Sequence, residues 1–300
     1  MPTSDKGPPM RRRPLPLALA AATVLAVAAC APQEEATDAG ATGAGAATTG
    51  ACTPDQLDTL EPGTLTIATD QPAYEPWMVD DSPENGQGFE SAVAYAVAEQ
   101  LGYSEDQVTW TRVPFTAAIQ PGPRPFDFDI NQFSITEERR QAVDFSSPYY
   151  TVSQAVITTA GSPADGAASL EELRGLRLGA QVATTSLQVL TEVIAPENDP
   201  VVFNTNDDAK LALQNGQVDA VVVDLPTAFY ITAAELDDGV IVGQLEDPGE
   251  GGDQFGLLLA KDSPLTDCVS RAVDALREDG TLAELEQQWL SDVADAPVLS

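Results

Sequence analysis

The sequence predicts an α/β protein, and three features carry that expectation. Leu65, Thr66, Ile67, Ala68 and Thr69 alternate in the manner of a half-buried strand, whereas 218–223 (VDAVVV) has the near-continuous apolar character of a parallel strand covered on both faces. Helical spacings lie between such runs. Phe89, Val93, Val97 and Leu101 recur at every fourth residue, and 265–277 is amphipathic. Strands alternating with helices over 300 residues give α/β architecture in one large or two medium domains.

Charge and cysteine usage narrow the function classes. There are 14 Lys+Arg against 47 Asp+Glu, a formal charge of −33, and no histidine. Such acidity argues against nucleic acid or anionic lipid as a partner of the folded body. Without histidine the commonest general base and metal ligand is missing. Cys30, Cys52 and Cys268 are too few and too far apart for a zinc or iron–sulfur pattern, so no cofactor or metal is expected.

The first thirty residues do not read as fold. Arg11, Arg12 and Arg13 form a positive region, and 15–29 is an apolar run short for a membrane span. It ends in Val27-Ala28-Ala29-Cys30, which resembles a lipobox. That resemblance implies a lipoprotein signal peptide over 1–29 and lipidation of Cys30; an ordinary signal peptide with a chance cysteine is the alternative. Met10, opening Met-Arg-Arg-Arg, is a second candidate start. Residues 31–51 hold Ala, Gly, Thr and a few acids but no large apolar side chain, the composition of a flexible tether. Lipidated cysteine and tether together are expected over 30–56. With Cys30 lipidated, Cys52 and Cys268 remain as an even pair in an oxidising compartment, and a disulfide between them is expected.

After the first strand, Asp70 to Trp77 is a proline-broken loop, and Gly86 and Gly88 lead into the helix that begins at Phe89 and stops at Gly102. Residues 108–110 read as a strand, and 115–119 as a short helix ended by Pro121-Gly122-Pro123. An apolar, β-prone run over 126–133 then ends at Ser134. Thr136 reads as a helix N-cap, with Glu137, Glu138 and Arg139 in the first turn. A cation there is mildly disfavoured by the macrodipole. Either an anion held between Ser134, the helix start and the guanidinium accounts for it, or a pairing with one of the many acids does. Strands follow at 152–159, 176–181, 201–203 and 218–223, with helices at 169–173, from 183, at 207–214 and from Pro226. Asp224, at the end of its strand, is either a capping acid or a partner for an ammonium. In open α/β sheets ligands sit beyond the carboxyl ends of strands, and Ser134, Thr184 and Asp224 each fall at such an end. A Gly- and acid-rich segment at 247–253, a strand at 255–260 and two helices, the second opened by Thr281 and Glu284, complete the body.

Ser134-Ile135-Thr136, Glu138-Arg139, and then Asp144-Phe145-Ser146 with Pro148-Tyr149 resemble the carboxylate-clamp segment of bacterial amino-acid-binding proteins of ABC importers, the extracellular solute-binding proteins of family 3. Gly88-Phe89-Glu90 resembles the opening of that family's first helix, with Ala92 in place of a second acid. Ala183-Thr184-Thr185 resembles its G-T-T/S turn, with alanine for glycine, and Asp224 matches its ammonium-binding aspartate. The resemblance covers about 57–290. It implies a type II periplasmic-binding-protein fold: two α/β lobes joined by two crossovers, lobe 1 over 57–151 and 252–300, lobe 2 over 152–251, and a ligand cleft between.

The implied function is capture of a free amino acid outside the cell membrane by a lipid-anchored monomer, and delivery to an ABC permease, with no catalytic residue. The resemblance assigns the α-carboxylate to Arg139, Ser134, Thr184 and Thr185 and the ammonium to Asp224. It puts Tyr74, Trp77 and Trp110 around the side chain, and Gln132 beside the clamp. Asp70 and Glu90 lie near enough in this scheme to meet a cationic side chain, which favours a polar or basic amino acid. A dehydratase-like enzyme on the same fold, with only carboxylates for its chemistry, and an extracytoplasmic amino-acid sensor are the rivals.

Overall fold

The computed structural model describes residues 52–245, 252–290 and 296–300. The expected signal peptide, Cys30 and residues 31–51 lie outside the described residues.

Two sheets divide the chain into lobes. In the first, β1 (Leu65–Thr69) lies parallel to β2 (Val108–Arg112) on one side and to β3 (Phe128–Asp129) on the other. The long strand β4 (Val143–Val152) runs antiparallel to the returning strand β10 (Asp253–Ala260), which also meets β3. Helices α1 (Phe89–Gln100), α7 (Thr266–Glu278) and α8 (Thr281–Leu290) cover one face. Val93 and Val97 of α1 and Val269 and Val273 of α7 bury there with Leu65, Ile67, Phe128, Leu257 and Leu259. The other face is closed by α2 (Phe115–Ala118) and by Phe126, Phe133, Phe145 and Leu258.

The second sheet begins one residue later. Ser153 separates β4 from β5 (Gln154–Thr159), which pairs antiparallel with β8 (Ala220–Asp224) and β9 (Gly239–Leu245). β6 (Leu178–Gln181) lies parallel to β8 and to β7 (Val201–Phe203). Val221 and Val223 pack under α5 (Asn206–Gln214) and α6 (Leu225–Tyr230), and Ala220 and Val222 pack on the opposite side with Leu173, Leu190 and Ile194. The apolar run 218–223 is thus buried on both faces because each face has its own cover. The remaining helices are α3 (Leu170–Arg174) and α4 (Thr185–Val189).

Three boundaries differ from the sequence expectation. Val152 still pairs with Asp253 in the first sheet, so the first crossover is Ser153. Residues 298–299 are not part of lobe 1. β11 (Val298–Leu299) pairs parallel to β9, and Ala296 and Leu299 bury in the second lobe. Gly243 makes room for this: a Cβ there would lie 2.5 Å from the Pro297 carbonyl oxygen. The ordered body also starts before 57, because Thr53 O accepts from Gln56 N and Leu57 N, and Cys52 is bonded to Cys268 with Cα atoms 5.5 Å apart. That separation lies within the range a disulfide needs.

Local structure around the clamp is also shorter than its sequence suggests. Only Phe128–Asp129 of the run 126–133 is strand. The helix expected from Thr136 is a single 3-10 turn, Arg139–Gln141, because the chain must turn at once into β4. Its N-cap is Glu138 rather than the expected Thr136, whose Oγ1 nonetheless accepts from Arg139 N at 3.1 Å. Among the described residues no helix is long and apolar enough to cross a membrane.

Candidate functional site

A cleft between the lobes is lined on one side by Asp70, Tyr74, Phe115, Gln132, Ser134 and Arg139. From the second lobe come Gln181, Thr184, Thr185, Asn206 and Asp224. The positions follow from strand ends. Asp70 succeeds β1, Phe115 follows β2, Ser134 lies just past β3, Thr184 just past β6, and Asp224 closes β8.

Arg139 is the anchor. Its Nη1 donates to Ser134 O at 2.8 Å and its Nη2 to Ala183 O at 2.9 Å, one carbonyl on each lobe. The guanidinium carbon stands 5.4 Å from the centre of the Phe115 ring, which itself stacks on Phe133. A guanidinium has five donors, so two anchoring bonds leave capacity for an anion. Burial lowers its pKa, against the pull of Asp253, Asp224 and Glu138.

Across the cleft, Thr184 caps α4: its Oγ1 accepts from Leu187 N at 3.2 Å and donates to Gln181 O at 2.7 Å. Thr185 Oγ1 lies 3.1 Å from Ser134 Oγ, a contact between lobes. Ala183, the alanine in a position where glycine resembles the family better, has φ 62°. A non-glycine residue in that region costs roughly 1–2 kcal/mol. The strained turn presents the carbonyl that Arg139 uses.

Asp224 Oδ1 accepts from Gln154 Nε2 at 2.7 Å. Burial, then the charges of Asp253 and Glu90, raise its pKa to about 7, although Gln154 and Arg139 oppose the shift. A cation placed beside this carboxylate would oppose the rise by favouring its charged form.

A guanidinium and a carboxylate therefore face one cleft from opposite lobes. The family described as bacterial extracellular solute-binding proteins, family 3, matches residues 65–292. This chain belongs to that family. Over 239 residues it is 26% identical to the L-arginine-binding protein of Pseudomonas aeruginosa, a match spanning 75% of this chain and 90% of that one. It also resembles a solved ancestral arginine-binding protein bound to glutamine, with 30% identity, a TM-score of 0.63, and coverage of 77% of this chain and all of the other. A second ancestral amino acid-binding protein, a precursor of cyclohexadienyl dehydratase, matches at 29% identity and TM-score 0.62 over 76% of this chain and 95% of its own.

In this solute-binding protein three of the residues expected at the ligand lie elsewhere. Trp110 packs against Tyr95 of α1 and donates from Nε1 to the Tyr95 hydroxyl at 3.2 Å, because the register of β2 turns it to the helical face. Trp77 is fully buried among Phe89, Tyr150 and Phe255, and its Nε1 donates to Thr227 Oγ1 of the other lobe at 2.9 Å. Glu90 is also fully buried. It accepts from Gln132 N at 2.7 Å, from Gln132 Nε2 and from the Tyr149 hydroxyl, so it lies behind Gln132 rather than on the cleft wall. Burial raises its pKa to about 7 despite those bonds. Asp70, by contrast, reaches the cleft, with Oδ2 accepting from Phe115 N at 3.1 Å.

Sequence reading missed Phe115, Gln181, Gln154 and Asp253. Phe115 and Gln181 obey the strand-end rule that found Ser134 and Asp224. Gln154 and Asp253 open β5 and β10, and only the pairing of Asp253 with Val152, at the end of β4, brings them together. Asp129, fully buried, is held well above the usual carboxylate range by burial and by Glu90 and Asp70. Among the described residues no group of His, Cys, Asp and Glu is placed to hold a metal ion.

Proposed function

We propose that this chain captures a free α-amino acid outside the cytoplasmic membrane and delivers it, as a monomer, to an ABC permease. The observation that carries the reading is the opposition of Arg139 and Asp224 across one cleft. An α-amino acid presents one carboxylate and one ammonium at fixed separation, and binding strips water from both, so each needs a full partner. Arg139 with Thr184 and Thr185 receives the carboxylate, and Asp224 the ammonium. Asp70, Tyr74, Phe115 and Gln132 surround the side chain. An acid beside an aromatic ring, and two arginine-binding relatives, favour a cationic amino acid, arginine first.

The experiment is calorimetry with arginine. Removing either charge of the clamp leaves the opposite ligand charge unpaired, so Arg139→Ala and Asp224→Ala each cost about 2–5 kcal/mol. That is roughly thirty- to several-thousand-fold in affinity. Arg140 is exposed and pairs with Glu137 at 3.6 Å, so Arg140→Ala changes affinity by less than about 0.5 kcal/mol. Full affinity in both clamp mutants would defeat the reading.

One relative's link to a dehydratase keeps an enzymatic reading in view, with Asp224 and Glu90, both raised to about 7, as its acid–base groups. We read these carboxylates as ammonium and core partners, and expect no turnover of prephenate or arogenate by the purified protein. Anchoring through a diacylglyceryl group on Cys30 completes the proposal, since two acyl chains suffice for stable attachment. Cys30→Ser should then appear in the medium, and its retention in the membrane fraction would remove the anchor.

A further inference from the structure

Trp77 is fully buried and stands outside the cleft lining. Its backbone is fixed first. Gly88, at the start of α1, has no side chain to cap the helix. Instead the Trp77 carbonyl oxygen accepts from Glu90 N at 3.0 Å, and the Pro76 carbonyl oxygen from Phe89 N at 3.0 Å. These are amide groups that a helix start leaves without an internal partner. The indole is fixed next, with the ring centres of Phe89, Tyr150 and Phe255 at 6.1, 5.9 and 5.7 Å. Backbone and ring thus belong to lobe 1.

The indole N–H crosses to lobe 2. It donates to Thr227 Oγ1 at 2.9 Å, and Thr227 is itself buried in the first turn of α6. An indole has one donor and no acceptor, and burial away from water makes its partner matter. The two ends of this bond belong to the two halves of the site. α6 begins directly after Asp224, and Trp77 ends the loop that carries Asp70 and Tyr74. That loop reaches lobe 2 a second time, where the Tyr74 hydroxyl faces Thr205 and Asp207 at the start of α5. For a ligand to enter, Asp224 has to draw away from Arg139. Thr227, less than one helical turn from Asp224, is carried with it. A hydrogen bond stretched to about 3.6 Å is lost. Water then serves the indole N–H of the open form, and Thr227 serves it in the closed form.

We propose that Trp77 and Thr227 form an interlobe latch, a positioning pair that holds the closed form together without touching the ligand. The inference rests on the amino-acid reading above. Apparent affinity scales with the population of the form that binds, so a contact made in that form alone changes the affinity of every ligand by the same factor. The latch therefore sets how tightly the protein binds, and the residues of the cleft set what it binds.

The test is a double-mutant cycle in calorimetry, with L-arginine and with the next-tightest ligand from a screen of the twenty amino acids. Thr227→Val keeps the branched shape and removes the acceptor, leaving the indole N–H unpaired in the closed form. It should weaken both ligands about fivefold or more, with the ratio between them unchanged. Trp77→Phe removes the donor and should weaken both alike, and the double variant should lose little beyond the larger single loss. Thr227→Ser restores the acceptor and should recover most of the affinity, which a role in packing alone would not produce. Wild-type affinity in Thr227→Val, losses that differ between the two ligands, or losses that simply add in the double variant would overturn the latch while the amino-acid reading stands. If the wild-type protein binds no amino acid, the amino-acid reading itself falls, and the same cycle read in urea unfolding then judges the pair, additive losses again counting against it.

Discussion

Asp224 carries the pH dependence of the cleft. Its pKa near 7 in the folded chain lies far above the unfolded value of 3.8, and Glu90 is raised from 4.5 to about 7 in the same direction. The folded state therefore holds more protons than the unfolded state between about pH 4 and 7. Stability from these two groups is greatest below their unfolded values and falls as pH rises through 7. A bound ammonium reverses the balance, because it favours ionised Asp224. Two outcomes are expected. The ligand-free protein melts at a lower temperature at pH 7.5 than at pH 5, with a smaller difference in Asp224→Asn. Arginine affinity falls as pH drops below 7, approaching about tenfold per unit. Calorimetry across pH 5–8 checks the second, and a flat profile would mean that Asp224 does not titrate on binding.

A disulfide ties the elements of lobe 1 that help place the site. Cys52 is tied to α7 through Cys268 across a sequence separation of 216 residues. Chain entropy gives a loop of that length on the order of 5 kcal/mol, and measured losses on removing native disulfides run at about 2–5 kcal/mol. Replacing both cysteines by serine should lower the melting midpoint without changing arginine affinity, because Cys268 sits on the helical face of lobe 1 and not in the cleft. Intact-mass analysis of the unreduced wild-type chain should show the bond, and two titratable thiols at Cys52 and Cys268 would refute it. On the other side of β1, the loop carrying Asp70 and Tyr74 depends on Gly88. Its φ is 95°, and a Cβ there would lie 2.4 Å from the Trp77 carbonyl oxygen, so any side chain would push Trp77 off Thr227.

At the scale of the molecule, hydrogen bonds beside the cleft tie the lobes, among them Trp77 to Thr227, Arg139 to the Ala183 carbonyl, and Ser134 with Thr185. Half of the clamp stands on each lobe, so an amino acid binds best to the form in which the halves meet, and differential affinity of that kind is what shifts a population. X-ray scattering should show a smaller radius of gyration when arginine is added. An unchanged radius at saturation would mean that closure does not accompany binding. The strand β11 adds a further tie, since it joins lobe 2 after α8 of lobe 1. Opening has to accommodate that return as well as Ser153 and the second crossover.

The sequence by itself determined the alternation of strands and helices, the strand ends near which Thr184 and Asp224 fall, and the family to which these and the motif from Ser134 to Tyr149 point. These features are local. A run of apolar residues, a cap or a strand terminus is written in neighbouring positions, and strand ends in α/β sheets converge on one edge. Tertiary structure alone decided which side chains at that edge look into the cleft. Trp110 is turned away by the register of β2 against β1, and Trp77 is drawn inward by Phe89, Tyr150 and Phe255. Gln154 and Asp253, 99 residues apart, reach the same carboxylate cluster only because Asp253 pairs with Val152 at the end of β4, beside the start of β5. The strand β11 joined lobe 2 for a similar reason: Leu299 is buried in lobe 2 where the strand pairs with β9, a partner that no local pattern names.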